Sequence, residues 1–109
     1  MSTSTGNGQK ALGAIAPKLA EVTDKVLFGD IWERTELSSR ERSLITVAAL
    51  IALYRLEQLP FHLAKAVEND ISREELAEVA THLAFYAGWP CAASAVKLLQ
   101  NLEPAARAA

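Results

Sequence analysis

Polar and apolar residues recur along the chain with the three-to-four-residue beat of a helix, and no segment shows the two-residue beat of a strand. Leu19, Val22, Val26 and Leu27 fall near one face of a segment that opens at Pro17, where the missing N–H would be unpaired anyway. The spacing predicts a first helix from Pro17 to Phe28, ended by Gly29-Asp30, and a connector from Ile31 to Leu37. Ser38-Ser39-Arg40-Glu41 has the form of a capping box, so a second helix starts there and runs to about Tyr54. A third covers Leu56 to Asn69, delayed to Leu59 or kinked because Pro60 sits inside the pattern. Ser72-Arg73-Glu74-Glu75 is a second capping box and opens a fourth helix to Ala87, with Gly88 just past its end. Pro90 opens a fifth, to about Leu102. The expected fold class is therefore all-α, a compact bundle of about five helices. Residues 1–8 read as a mobile tail, 9–103 as one helical domain and 104–109 as a second tail.

Composition adds an oligomer to this picture. From Val79 to Leu99 the only obviously polar side chains are Thr81, His82, Ser94, Lys97 and the Tyr86 hydroxyl. The second expected helix is also apolar on several faces, and a chain of 109 residues cannot bury every face of helices two, four and five against itself, so an obligate homo-oligomer is expected. The hydrophobic half of the residues excludes a wholly disordered chain, and a net charge of -2 argues against nucleic-acid or anionic-membrane binding. The longest apolar stretch, Leu44 to Tyr54, is roughly half the ~20 residues of a membrane span. The Ser, Thr and Gly-rich start has no apolar core of a secretory signal. The single cysteine, Cys91, excludes an intrachain disulfide and a four-cysteine zinc site. A cytoplasmic location is the expectation.

Phosphate-cradling glycine loops, dinucleotide fingerprints, zinc-protease helices and nucleophile elbows are absent from the sequence. Two histidines and one cysteine remain for chemistry near neutral pH. Glu78, His82 and Tyr86 are spaced by four and share one helix face. His82 is then either a proton-transfer group oriented by a carboxylate, or a buried histidine satisfied by a carbonyl or by Glu78. His62 follows Glu57 by five residues, about 140° apart in an unbroken helix. A break at Pro60 can bring the two together; otherwise His62 is a packing or surface residue. Cys91 reads as an inert, apolar thiol, since no second cysteine can resolve an oxidised form. Trp32, Tyr86 and Trp89 line a pocket or fill core. Arg40, Arg42 and Arg55 receive carboxylates or make helix-surface ion pairs.

The run Leu27-Phe28-Gly29-Asp30-Ile31-Trp32-Glu33-Arg34, then Leu37 to Leu50, resembles the carboxymuconolactone decarboxylase family. So do Glu57 to His62, Ser72 to Leu76 and His82 to Pro90, in the same order and spacing. The resemblance spans about residues 27–96. It implies an alkylhydroperoxidase D-like helical fold assembled as a trimer or hexamer. The peroxidase branch of that fold carries two cysteines three apart ahead of a histidine. With His62 as that histidine, Arg55 and Gln58 stand where the thiols belong, and Ser43 stands where that branch tends to carry a glutamate. Thiol peroxidase chemistry is not expected, and Cys91 is misplaced to restore it.

The other branch implies a carboxy-lyase acting on a 4-carboxymuconolactone-type lactone acid from aromatic-compound breakdown. Electrons freed by loss of CO2 flow through the ring double bond onto the lactone oxygen, so no cofactor or metal is expected. One of His62 and His82 would give a proton to carbon, and the other would hydrogen-bond the lactone oxygen. Glu57 would orient or share the proton, and Arg42 or Arg55 would grip a carboxylate. Tyr86 and Trp89 would keep the site dry. The alternatives are a same-fold enzyme on another ring acid or lactone, and a non-catalytic helical oligomer that binds a small ligand.

Overall fold

The computed structural model describes residues 6–102, and among them every regular element is a helix. The chain falls into two compact units, one ending at Ser39 and the other beginning at Arg40. The first contains α1 (Asn7–Leu12), α2 (Pro17–Val22), a π-helical turn (Thr23–Phe28) and a 3-10 turn (Ile31–Glu33). The second contains α3 (Ser39–Ala52, its first residue closing the first unit), α4 (Leu59–Glu68), α5 (Arg73–Leu83) and α6 (Trp89–Gln100). The all-α expectation holds, with six α-helices among the described residues instead of about five.

The first unit departs most from the expected pattern. Its helix does start at Pro17, but the Thr23 hydroxyl donates to the Leu19 carbonyl (2.7 Å) and the winding opens into the π turn through Phe28. Helix α1 has no counterpart in the expected elements. Asp24 makes it possible by accepting two of the free first-turn backbone donors, Gly8 N–H at 2.6 Å and Gln9 N–H at 3.0 Å. Gly8 is buried there. A Cβ on it would lie 2.7 Å from Thr23 Cβ and 2.8 Å from the Ala20 carbonyl oxygen, so only glycine permits this approach. Of the expected first tail, Asn7 and Gly8 belong to α1, and residues 1–5 lie outside the described residues, as does the expected tail 104–109.

The second unit is built on pairs of apolar residues three or four apart. Val47 and Ile51 of α3, Leu59, Leu63 and Ala66 of α4, Leu76 and Ala80 of α5, and Ala95 and Leu99 of α6 form one buried cluster. Each fully buried Leu or Ile contributes about 1.5–3 kcal/mol. Both α3 and α4 end in a left-handed residue with paired return bonds. Tyr54 (φ 59) donates to the Ile51 carbonyl and Arg55 to Leu50; Asp70 (φ 72) donates to Val67 and the buried Ile71 to Ala66. Pro60 is accommodated in the first turn of α4, which starts at Leu59. The Arg73 guanidinium donates to the Leu99 and Leu102 carbonyls (3.0 Å each), tying the start of α5 to the end of an antiparallel α6.

Helix α5 begins as expected, at a complete capping box between Ser72 and Glu75. It ends at Leu83, one turn before the expected Ala87, because Phe85 and Tyr86 donate to the His82 and Leu83 carbonyls in a tightened turn. Gly88 then takes φ 110 and ψ 150, a conformation that is essentially glycine's alone, and the chain enters α6. Gly88→Ala is expected to cost about 1–3 kcal/mol, although nothing crowds the added methyl, and thermal denaturation followed by circular dichroism measures it. An unchanged midpoint would show that the turn relaxes freely. No helix among the described residues is long and apolar enough to cross a membrane.

Candidate active site

Once the capping box has fixed where α5 starts, its residues recur on one face every three or four positions. Glu75, Glu78, Val79, His82 and Leu83 from that face meet Leu44, Ile45 and Ala48 of α3 across a cleft of about 490 Å³. Its walls are apolar, and its polar groups are the Glu75 and Glu78 carboxylates and the His82 imidazole. His82 is exposed in the last turn of α5. Its ring stacks on Tyr86, with centroids 4.9 Å apart and planes 28° from parallel. Tyr86 therefore still covers one imidazole face after the helix has ended. Glu78 shares the cleft but is not hydrogen-bonded to His82. The internally satisfied, buried histidine considered from the sequence is thus not what α5 presents.

The remaining expected site residues lie elsewhere. His62 is half-buried in the first turn of α4, edge-on to Phe61 with ring centroids 5.0 Å apart, and does not line the His82 cleft. Glu57 is exposed in the turn ahead of α4, and the break at Pro60 brings no hydrogen bond between it and His62. Arg42 is half-buried on α3, and Arg55 is exposed in the α3–α4 connection; neither lines the cleft. Trp89 lines a second concavity of about 420 Å³, against α6, with Thr81 and an edge-on Phe85 at 5.4 Å. Cys91 is half-buried in the first turn of α6. Among the described residues no three His, Cys, Asp or Glu side chains are grouped to hold a metal ion.

Burial, reinforced by the Lys65 ammonium one turn on, pulls the His62 imidazole down from 6.5 to about 4. His62 is therefore neutral at physiological pH. Between about pH 4 and 6.5 the unfolded chain binds a proton at this site that the folded chain does not, so stability rises with pH across that window and levels off above it. Allowing for partial exposure, the slope from this group is on the order of 1 kcal/mol per pH unit or less. Urea midpoints measured from pH 4.5 to 7 are expected to show a gentler rise in His62→Gln than in the unsubstituted protein. Identical slopes would remove His62 as the source.

Two features of the second unit were not anticipated from the sequence. Glu75 accepts from the Ser72 backbone N–H (2.9 Å) and from Arg40 Nη2, while Arg40 Nε donates to the Asp70 carbonyl (3.2 Å). The Ser72 N–H first, and then the Arg40 guanidinium, hold the Glu75 carboxyl below the usual range. The sequence alone does not separate Arg40 from Arg42 and Arg55 as a carboxylate receiver, and the expected site contains only the latter two. Ser43 is fully buried, and its hydroxyl accepts from Asn69 Nδ2 at 3.0 Å. Nothing in the local pattern distinguishes it from the apolar positions around it.

The profile of the carboxymuconolactone decarboxylase family matches residues 17–101. The chain belongs to that family. Its cleft, His82 and Tyr86 all lie inside the matched segment, and α1 lies ahead of it. This carboxymuconolactone decarboxylase family member is 35 % identical over 75 residues to the 4-carboxymuconolactone decarboxylase of Acinetobacter baylyi, a match covering 69 % of the chain and 56 % of that protein. It is 29 % identical over 81 residues to the nitrosuccinic acid decarboxylase of Metarhizium robertsii, covering 74 % and 57 %. The matched region therefore spans little more than half the length of either relative.

Proposed function

We propose that this family member is a cofactor-independent decarboxylase of a 4-carboxymuconolactone-type lactone acid, with His82 as the proton donor. The observation that carries the proposal is the exposed His82 imidazole, held against Tyr86 at an apolar cleft of about 490 Å³. Such a volume suits a small ring acid. In the step, the bond from the ring carbon to its carboxylate breaks and CO2 leaves. The electron pair moves through the ring double bond onto the lactone carbonyl oxygen, giving a dienolate. The protonated His82 imidazole then gives its proton to carbon, and the lactone carbonyl re-forms. The apolar walls formed by Leu44, Ala48, Val79 and Leu83 keep water from competing for the carbanion. Of the expected site residues only His82 lines this cleft, so His62, Glu57, Arg42 and Arg55 are given no step in it.

The names of the two relatives favour a second reading within the same chemistry. A conjugated lactone and a nitro group both accept the electron pair left by CO2, so the common requirement is an acid whose own substituent is the electron sink. The experiment is a cofactor-free assay of CO2 release from 4-carboxymuconolactone, with nitrosuccinate alongside. Turnover of the first supports the proposal. Turnover of nitrosuccinate alone moves the substrate to the second class, and turnover of neither leaves a ligand-binding module. The outward aromatics Phe85, Tyr86 and Trp89, 73 %, 79 % and 64 % exposed, are the surface a trimer or hexamer would cover.

A further inference from the structure

We infer that Arg40 is the carboxylate-binding residue of the α3–α5 cleft, holding the substrate carboxylate that does not leave. The inference rests on the proposed decarboxylation in this cleft and adds a residue to it. Arg40, Leu44 and Ala48 are four apart and form one row on α3. Leu44 and Ala48 are cleft wall; Arg40, at the next turn of the same row, is not itself wall but sits at the rim, bonded to the wall residue Glu75, a link that Arg42 and Arg55 do not show. Arg42, two residues on, is rotated about 200° from Arg40. The guanidinium is fixed by two bonds, Nε to the Asp70 carbonyl and Nη2 to Glu75, and Glu75 itself lines the cleft. Arg40 therefore marks the Glu75 end. His82 lies seven residues further along α5, roughly 10 Å by helical rise.

Nη1 carries two N–H donors that no described residue accepts, and one of them, paired with the second N–H of Nη2, forms the two-nitrogen edge that binds a carboxylate. The Arg40–Glu75 pair is half-exposed (side chains 40 % and 48 %), so a substrate carboxylate can compete for the guanidinium. Glu75 keeps its Ser72 N–H partner through that exchange, so α5 retains its cap. The two carboxylates of 4-carboxymuconolactone have opposite needs. The one leaving as CO2 loses its charge, and a guanidinium on it would stabilise the ground state against reaction. The side-chain carboxylate keeps its charge throughout and is the one a fixed guanidinium serves.

The probe is the saturated lactone diacid, 4-carboxymuconolactone with its ring double bond reduced, which has no electron sink and does not react. Calorimetric titration is expected to show at least tenfold weaker binding to Arg40→Gln than to the unsubstituted protein. The side-chain methyl ester of the probe is expected to bind both alike. Glu75→Gln, which breaks the ion pair and keeps a cap acceptor, is expected to bind the diacid as tightly as the unsubstituted protein or more so. Equal loss in Arg40→Gln and Glu75→Gln would mean that Arg40 merely braces α5 and overturns the inference. So would equal affinity of the unsubstituted protein and Arg40→Gln, or no binding at all. Because binding is read without turnover, Arg40-dependent affinity in a protein that releases no CO2 would sink the decarboxylase reading and leave Arg40 standing.

Discussion

His82→Asn is expected to lower kcat for CO2 release by about 10²–10⁴-fold, the range for loss of a positioned general acid. Asparagine keeps a polar, planar side chain of similar reach but has no proton to give at neutral pH. Because His82 is exposed in the last turn of its helix, little packing is lost, and the thermal midpoint is expected to stay within a few degrees. Affinity for the unreactive saturated diacid is expected to persist. His62→Gln provides the contrast: the half-buried, neutral imidazole of α4 does not line the cleft, and kcat is expected to change by less than about tenfold. Steady-state CO2 release by the two variants decides between them. If His62→Gln loses activity and His82→Asn keeps it, the α3–α5 cleft is the wrong site.

The largest stability effect is expected at Ser43. Its side chain has no exposed surface, and its hydroxyl is held by Asn69, the residue that ends α4. Ser43→Ala removes one hydrogen bond and should cost about 1 kcal/mol. Ser43→Glu, which installs the residue type found in the peroxidase branch, adds three heavy atoms and a carboxylate to a filled site. Overpacking costs about 1–3 kcal/mol and taking a carboxylate out of water adds to it, so a loss of about 3 kcal/mol or greater is expected. At about 4–8 °C per kcal/mol for a chain of this size, the melting temperature should fall by more than about 10 °C. The variant is not expected to gain peroxidase activity, because the chain's single cysteine, Cys91, leaves no thiol pair. A Glu variant that melts with the unsubstituted protein would show that position 43 opens to solvent.

The four long helices were legible because each carries its own signal: an apolar residue every three or four positions, and for α5 a capping box formed between neighbours in sequence. Helix α1 was not, since what caps it is a carboxylate 16 residues away and what seats it is a missing side chain at Gly8. The early end of α5 was hidden for a related reason. Apolar residues continue through Ala87, but Gly88 and Pro90 commit the chain to a new direction and the preceding turn tightens to meet it. At the site, His82 and Tyr86 were legible from a spacing of four. The Arg40–Glu75 pair was not, because its members are 35 residues apart and only packing joins them. Arg40 and Arg42 look alike in the sequence, and a rotation of about 200° around α3 separates a residue on the cleft row from one on the other side.

The Asp24 clamp has a consequence for how the first unit loosens. A six-residue helix is far too short to persist by itself in water, and this one is held by a carboxylate from a different segment. Asp24 sits in the π turn, so any fluctuation that unwinds Thr23–Phe28 withdraws both acceptors from α1 at once. The two segments then open and close as a single cooperative element rather than fraying in sequence order.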